Sequence, residues 1–169
     1  MFSTFYPDAI VDSAYDIDYE KLYEDGYRGI IFDIDNTLVP HGAPADERAV
    51  KLFVRLKKIG YKIVLLSNNK EPRVKMFNDA VQVMYIYKAG KPGRGGYERA
   101  MELMETEPIT TFFVGDQLFT DVWGAKRVGI RNFLTKPIHP KEEIQIVLKR
   151  YLEKIVLHFY NKELKKSGK

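Results

Sequence analysis

Acidic side chains follow two short apolar segments of the chain, at the points where those segments end. Asp33 and Asp35 follow GIIF, and Asp116 follows TFFVG. Three carboxylates that meet at one site form an all-oxygen donor set, which is the kind that Mg²⁺ prefers. A lysine and a hydroxyl beside them would bind the oxygens of a phosphoryl group. The combination is typical of phosphoryl transfer.

Two further apolar segments end in the hydroxyl and the lysine that this chemistry needs. Ser67 ends YKIVLLS and is followed by two asparagines, Asn68 and Asn69. Lys88 and Lys91 follow VMYIY. The residues alone leave open which lysine faces the phosphoryl group.

The elements that must position these residues alternate between strands and helices. Apolar, β-branched segments predict five strands at 29–35, 61–67, 83–88, 111–116 and 130–135. Helical patterns separate them, and one helix is predicted to begin after Asp46 and to end at Gly60. This alternation indicates an α/β fold with a parallel sheet and helices on both faces. Ligands of such folds bind at the carboxyl ends of the strands.

Length and composition predict a single domain over residues 1–169. The absence of cysteine excludes disulfides, thiolate nucleophiles and Cys-based metal sites. The N-terminal stretch does not resemble a signal peptide, and no uninterrupted apolar run reaches about 18 residues. We therefore expect a soluble, cytoplasmic protein, with a possible peripheral location at a membrane.

The excess positive charge lies in the C-terminal tail. Residues 1–140 carry 19 basic and 19 acidic residues, whereas 141–169 carry eight and four. A basic amphipathic helix is predicted over 140–166, with an apolar stripe made of Ile144, Val147, Leu148, Tyr151, Leu152, Ile155, Phe159 and Leu164. We expect this stripe to pack on the domain's own helices or on another subunit. The alternative is peripheral contact of 141–166 with an anionic membrane.

The four strand-end motifs resemble those of the haloacid dehalogenase (HAD) superfamily. They are DIDNT, LLSNN, GKP and GDQLFTD, in this order across residues 29–135. The combination is most similar to the YqeG-like group of subclass IIIA, which is related to phosphatidylglycerophosphate phosphatases. The resemblance implies a three-layer Rossmann-like fold. The intervals from Asp33 to Ser67 and from Ser67 to Lys91 are too short to hold a cap domain.

The resemblance also implies roles for the motif residues. Asp33 is expected to attack phosphorus and form an aspartyl-phosphate, and Asp35 to act as the general acid and base. Ser67 is expected to bind a phosphoryl oxygen, with Asn68 and Thr37 also on the substrate side. Thr37 would in addition hold the turn after Asp35.

The expected cofactor is Mg²⁺. The implied ligands are the Asp33 carboxylate, the Asp35 backbone carbonyl and Asp116, with Asp121 in the outer shell. Lys91 is expected to balance the charge on Asp33 and on the phosphate. It is preferred over Lys88 because it precedes Pro92, as the motif lysine of the family does.

An open site without a cap predicts a phosphorylated substrate that is large or presented by a membrane. Together with the basic tail, the resemblance implies phosphatidylglycerophosphate as the first choice. The alternatives are a protein or nucleotide phosphatase of the same fold, or a non-catalytic phosphoryl-accepting or scaffold module. No specific nucleic acid partner is predicted. The sequence leaves the oligomeric state open.

Overall fold

The computed structural model describes residues 2–139 and 144–168, with side chains given from 2 to 139 and from 147 onward. The strands are β1 (Ala9–Val11), β2 (Gly29–Phe32), β3 (Lys62–Leu66), β4 (Met84–Ile86), β5 (Thr111–Gly115) and β6 (Arg131–Thr135). The helices are α1 (Tyr19–Glu24), α2 (Glu47–Ile59), α3 (Glu71–Val81), α4 (Arg94–Met104), α5 (Trp123–Arg127) and α6 (Ile144–Lys166). Residues 140–143 of the predicted C-terminal helix lie outside the described residues.

The strands form one parallel sheet in the order β1-β6-β5-β2-β3-β4. From β2 the chain runs outward through β3 and β4, and then returns to the other side of β2 as β5. The change of direction makes the β2–β5 boundary the switch point at which parallel sheets bind ligands. Asp33 and Asp116, one residue beyond β2 and β5, therefore lie side by side at that boundary.

The central strands form where the sequence is apolar on both faces. Every residue of β2 and β5 is buried, which is why neither strand has an alternating pattern. The predicted limits of α2 are confirmed. The Asp46 side chain accepts a hydrogen bond from the Ala49 N–H, and Gly60 ends the helix with a φ of 115°.

Two apolar layers enclose the sheet, and helices cover both faces as predicted. One layer joins α2 and α3 to the sheet through buried side chains such as Phe32, Phe53 and Phe77. The other joins α4 and α5 to the opposite face around Ile31, Tyr97, Phe113 and Ala125. Residues 29–135 are all described, and no domain is inserted among them.

The sheet has six strands, so the prediction of five strands is one short. The sixth is β1, which pairs with β6 at the edge of the sheet. It has three residues, and Ile10 at its centre is 42% exposed. A strand this short gives no recognisable periodicity, and an edge strand needs less apolar surface than a central one.

The N-terminal aromatic residues pack against α6. Phe2 contacts Phe159 and Tyr6 contacts Tyr160, at ring-centroid distances of 5.6 and 5.0 Å. Phe5 packs on Phe119 and Trp123. A third apolar cluster, which includes the buried Val156, joins α6 to the domain.

The predicted apolar stripe of α6 does not face the domain. Six of its residues are exposed: Val147, Leu148, Tyr151, Leu152, Ile155 and Phe159. The inner side instead carries Glu153, Val156, Leu157 and Tyr160, about half a turn away around the helix. The prediction that the stripe packs on the domain's own helices is therefore wrong for five of these residues, because a second apolar stripe makes that contact. Phe159 is half-exposed but also packs on Phe2. No helix in the described ranges is long and apolar enough to cross a membrane.

Candidate active site

The first predicted motif forms a tight turn directly after β2. Asn36 adopts a φ of 61°, a left-handed conformation that asparagine tolerates. The turn carries the Thr37 hydroxyl back to the strand end, 2.9 Å from Asp33 Oδ2 and 3.1 Å from Asp116 Oδ1. Thr37 therefore links the carboxylates that follow β2 and β5.

Asp33, Asp116 and Asp121 form a buried carboxylate cluster. Each contributes one oxygen, and these oxygens lie within 4.8 Å of one another. Asp121 reaches the cluster from a π-helical turn, Leu118–Val122, which leads into α5. Gly115 leaves the space for it, because a Cβ there would lie 2.5 Å from Asp121 Oδ2. The outer-shell position expected for Asp121 from the resemblance stays a prediction.

Burial makes the negative charge of the cluster costly. The pKa of Asp116 is raised well above its usual range by burial and by the charge of Asp33, against the opposing effect of Arg150. Burial also raises the pKa of Asp121 to about 6, although Lys91 opposes the rise. A cation among these oxygens would relieve both effects.

Lys91 lies inside the site, and Lys88 does not. The Lys91 ammonium donates to Asp33 Oδ1 at 2.8 Å and to Asp121 Oδ1 at 2.7 Å. Burial lowers its pKa, but the charges of Asp121 and Asp33 outweigh that effect, and the net shift is upward. Lys88 is exposed. The geometry thus favours Lys91 as the lysine that faces a phosphoryl group.

Asn68 holds the backbone of Lys91 in position. Its side-chain oxygen accepts from the Lys91 N–H at 2.7 Å, and its amide group donates to the Lys91 carbonyl at 3.0 Å. Ser67 is buried beside it, and its hydroxyl oxygen accepts from the Asn69 N–H at 3.1 Å. Among the described residues no acceptor takes the Ser67 hydroxyl hydrogen, which leaves it available for a bound anion. The role of Asn68 as a support for Lys91 was not foreseen in the sequence.

Asp35 lines the same cavity but points away from the carboxylate cluster. Its oxygens accept from the Gly42 N–H at 2.8 Å, from Asn69 Nδ2 at 3.1 Å and from the Arg73 guanidinium at 2.9 Å. Burial raises the pKa of Asp35, but the Gly42 hydrogen bond and the Arg73 charge outweigh it and lower the pKa. The carboxylate form is therefore favoured in this conformation, which suits a general base.

Helix α6 contributes two cations that sequence reasoning did not assign to the site. The Arg150 guanidinium donates to the Asp116 carboxylate and to the Asp116 backbone carbonyl. It also pairs with Glu153 at 3.1 Å, and Glu153 accepts from the Leu118 N–H at 2.7 Å. Lys149 lines the cavity. No motif marks Arg150, since Asp116 lies 34 positions away in the chain.

The strand ends enclose a cavity of about 290 Å³. Its lining combines the motif residues with side chains from loops and from α6: Asp33, Asp35, His41, Ser67, Asn68, Asn69, Lys91, Gln117, Thr120 and Lys149. His41 is part of this lining, with Nδ1 3.9 Å from Asp35 Oδ1. A larger depression of about 570 Å³ runs along the outside of α2, away from these groups. The motif residues line the smaller cavity, which is therefore the candidate active site.

A hard divalent cation fits the donor set. The buried carboxylates supply oxygen alone, which favours Mg²⁺ or a related ion over a soft metal. The pKa values of Asp116 and Asp121 are raised because the neighbouring cations do not fully offset the cost of burying these two carboxylates. The Asp35 side chain lies outside the cluster. Binding of the ion by the Asp35 backbone carbonyl stays a prediction.

Known proteins with similar sequences are phosphatases. Residues 88–137 match a family model described as HAD-hydrolase-like. The chain is 38% identical over 154 residues to the Bacillus subtilis (strain 168) protein named "Probable phosphatase YqeG", and the match covers 90% of each. It is 27% identical over 169 residues to "Phosphatidylglycerophosphate phosphatase 1, chloroplastic/mitochondrial" of Arabidopsis thaliana, covering 90% of this chain and 46% of that protein.

A solved structure supports the fold. The cobalt-bound deoxy-D-mannose-octulosonate 8-phosphate phosphatase of Haemophilus influenzae superposes with a TM-score of 0.52. The match covers 69% of this chain and 81% of that one, at 12% identity. At this level of identity the likeness concerns the fold alone.

Proposed function

This chain belongs to the HAD-like phosphatases, in the group of the Bacillus subtilis phosphatase YqeG, and from that premise we propose that it hydrolyses phosphomonoesters with Mg²⁺ through a phosphoryl group carried on Asp33. One observation carries the proposal. The buried carboxylates of Asp33, Asp116 and Asp121 meet within 4.8 Å, and the Lys91 ammonium contacts two of them.

In the first step an oxygen of Asp33 attacks phosphorus, and the bond from phosphorus to the leaving oxygen breaks. Lys91 and the Ser67 hydroxyl bind the phosphoryl oxygens, where negative charge concentrates. Asp35 gives the leaving oxygen a proton. Because its pKa is lowered in this conformation, Asp35 must take up that proton as the substrate arrives and weakens its contact with Arg73.

In the second step water attacks phosphorus and displaces the Asp33 carboxylate, which releases inorganic phosphate. Asp35, now a carboxylate, removes the proton of the attacking water. Asn68 keeps Lys91 in place through both steps, because it binds the backbone N–H and carbonyl of that residue.

The proposed Mg²⁺ would be held by Asp33, Asp116 and Asp121, with the Asp35 carbonyl as a further ligand. When bound, it supplies positive charge between the nucleophile and the phosphate, two anions that otherwise repel each other. At about 4 Å and an effective dielectric of about 20, one such pair costs roughly 4 kcal/mol.

The shape of the site supports a substrate that is presented by something larger. The cavity of about 290 Å³ is at the lower limit for a small-molecule pocket, and no cap encloses it among residues 29–135. It accommodates a phosphate head and leaves the rest of the substrate outside. The relationship to a phosphatidylglycerophosphate phosphatase makes that lipid the proposed substrate.

Phosphate release from an aryl phosphate tests the proposed reaction. We expect turnover with Mg²⁺, loss of turnover with a chelator, and a decrease of at least about a thousandfold in Asp33→Asn. Asp79→Asn, an exposed aspartate in α3, is the matched control and should retain full activity. Full activity of Asp33→Asn would contradict the assignment of the nucleophile.

A second assay tests the substrate. Vesicles that contain phosphatidylglycerophosphate should release phosphate in the presence of the enzyme, and phosphopeptides and nucleoside monophosphates should react at least about tenfold more slowly. Turnover of the aryl phosphate without any release from the lipid would exclude this substrate while leaving the reaction intact.

A further inference from the structure

The outer side of α6 carries a continuous apolar surface, which we call the α6 ridge: Val147, Leu148, Tyr151, Leu152, Ile155 and Phe159. These residues recur at intervals of three and four, so they share one face over more than three helical turns. Each is at least 42% exposed, and Leu148 and Tyr151 exceed 60%. Eleven large apolar side chains of the described residues are exposed, and six of them lie here. Such a concentration marks a binding surface.

The exposed charges beside the ridge are predominantly positive. Lys154, Lys162, Lys165 and Lys166 are exposed on the outer side of α6, and no salt bridge within the described ranges involves them. The described part of α6 has two carboxylates, and no described salt bridge joins either of them to these lysines. Glu153 is buried against Leu118. Glu163 lies near Tyr6, whose pKa is raised by burial and by this carboxylate.

The ridge begins beside the catalytic cavity. Lys149 lines the cavity, and the preceding residue, Leu148, is part of the ridge. The following residue, Arg150, contacts Asp116. The first residues of the ridge therefore lie within two positions of side chains that line the cavity or contact its carboxylate cluster.

We propose that the α6 ridge and its lysines dock the protein on an anionic lipid surface and thereby bring the cavity to phosphorylated headgroups. Apolar side chains enter the boundary between headgroups and acyl chains, and the lysines bind the anionic headgroups. The inference rests on the proposed function, because docking matters for catalysis only if the substrate lies in that surface.

The charge pattern argues for lipid rather than for a second copy of the chain. Two copies joined through their ridges would bring their lysines together at the interface. From residue 147 onward, the one exposed carboxylate of α6 is Glu163, which lies near Tyr6 and is outnumbered by the four lysines. An anionic lipid surface supplies a counter-charge for every lysine.

Co-sedimentation with vesicles tests the proposal. The full chain is mixed with vesicles of phosphatidylcholine alone or with phosphatidylglycerol added. We expect binding to the anionic vesicles only, decreasing as salt is raised. The double substitution Leu148→Glu and Leu152→Glu should reduce the bound fraction at least tenfold. Ile109→Glu is the matched control, since Ile109 is 79% exposed just before β5, away from the carboxyl ends of the strands, and it should bind as the original chain does.

Hydrolysis of a soluble aryl phosphate is measured on the same samples. We expect the double variant to retain this activity while losing hydrolysis of phosphatidylglycerophosphate when that lipid is included in the anionic vesicles. The proposed docking is refuted if the original chain does not bind anionic vesicles, or if the double variant binds them equally well. It is also refuted if light scattering finds a dimer that the double substitution dissociates. Vesicle binding without aryl phosphate hydrolysis would refute the proposed function alone.

Discussion

Arg150 of α6 forms an ion pair with Asp116, the carboxylate that follows β5 in the buried acidic cluster. The same guanidinium binds the Asp116 backbone carbonyl and Glu153. A side chain of the C-terminal helix thus supplies positive charge to a group that is proposed to bind a metal ion. A cation held by Asp116 would therefore meet a carboxylate that is already paired with Arg150.

Replacement of Arg150 is expected to strengthen metal binding. In Arg150→Gln the Asp116 carboxylate loses its cationic partner, so a divalent ion no longer displaces a salt bridge. We expect the Mg²⁺ concentration for half-saturation to fall about tenfold, which corresponds to about 1.4 kcal/mol. Titration calorimetry measures this directly. Lys154→Gln, on the outer side of the same helix, should have no effect, and weaker binding in Arg150→Gln would show that the arginine supports the metal site.

Gly115 is required for the position of Asp121. A Cβ in Gly115→Ala would lie 2.5 Å from Asp121 Oδ2 and 2.6 Å from the Phe113 ring. We expect a loss of about 1–3 kcal/mol in the free energy of unfolding, together with weaker Mg²⁺ binding. Gly95→Ala is the matched control, since no atom lies within 4 Å of its added Cβ in α4, and it should stabilise the protein by about 0.5–1 kcal/mol. Denaturant unfolding measures the free energy of unfolding of both variants. Equal values for Gly115→Ala and Gly95→Ala would contradict the crowding at Gly115.

The metal-free protein is expected to lose stability as the pH rises through the range in which Asp121 ionises. Its pKa is about 6 in the folded protein, compared with an ordinary value of 3.8. Between these values the folded state binds more protons than the unfolded state, so the free energy of unfolding falls with rising pH. The total loss is on the order of 3 kcal/mol, at about 1.4 kcal/mol for each pH unit.

Comparison with Asp121→Asn isolates this contribution, because the variant has no carboxyl at that position. With a chelator present, the stability of the original chain relative to Asp121→Asn should decrease from about pH 4 to about pH 6 and then level off. Asp79→Asn, an exposed control, should show a constant difference. A difference that increases with pH would mean that Lys91 holds the pKa of Asp121 below its ordinary value.

The strand-end residues could be predicted because each follows an unbroken apolar segment. The residues of β2 and β5 are all buried, so their sequences identify both strands and the positions of Asp33 and Asp116. The edge strand β1 was missed because three residues carry no periodicity. The cations Arg73 and Arg150 could not be assigned, since their partners are set by helix packing across more than thirty residues.

The orientation of α6 was predicted wrongly for a physical reason. Its sequence contains two apolar stripes, and the one with more residues faces outward. The inner stripe packs because its polar members have partners: Glu153 binds the Leu118 N–H, and Arg150 binds Asp116. A prediction of the buried face from apolar residues alone misses these polar contacts, because their partners follow β5 and are distant in the chain.

The central claim is that Asp33 attacks phosphorus within the cation-binding cluster. Acid-quenching of the enzyme during turnover of an aryl phosphate, followed by mass spectrometry of its peptides, tests this claim most directly. We expect a phosphoryl group on Asp33 when Mg²⁺ is present, and none when a chelator is added or in Asp33→Asn. A phosphoryl group on another residue, or phosphate release from an enzyme that never carries one on Asp33, would contradict the mechanism.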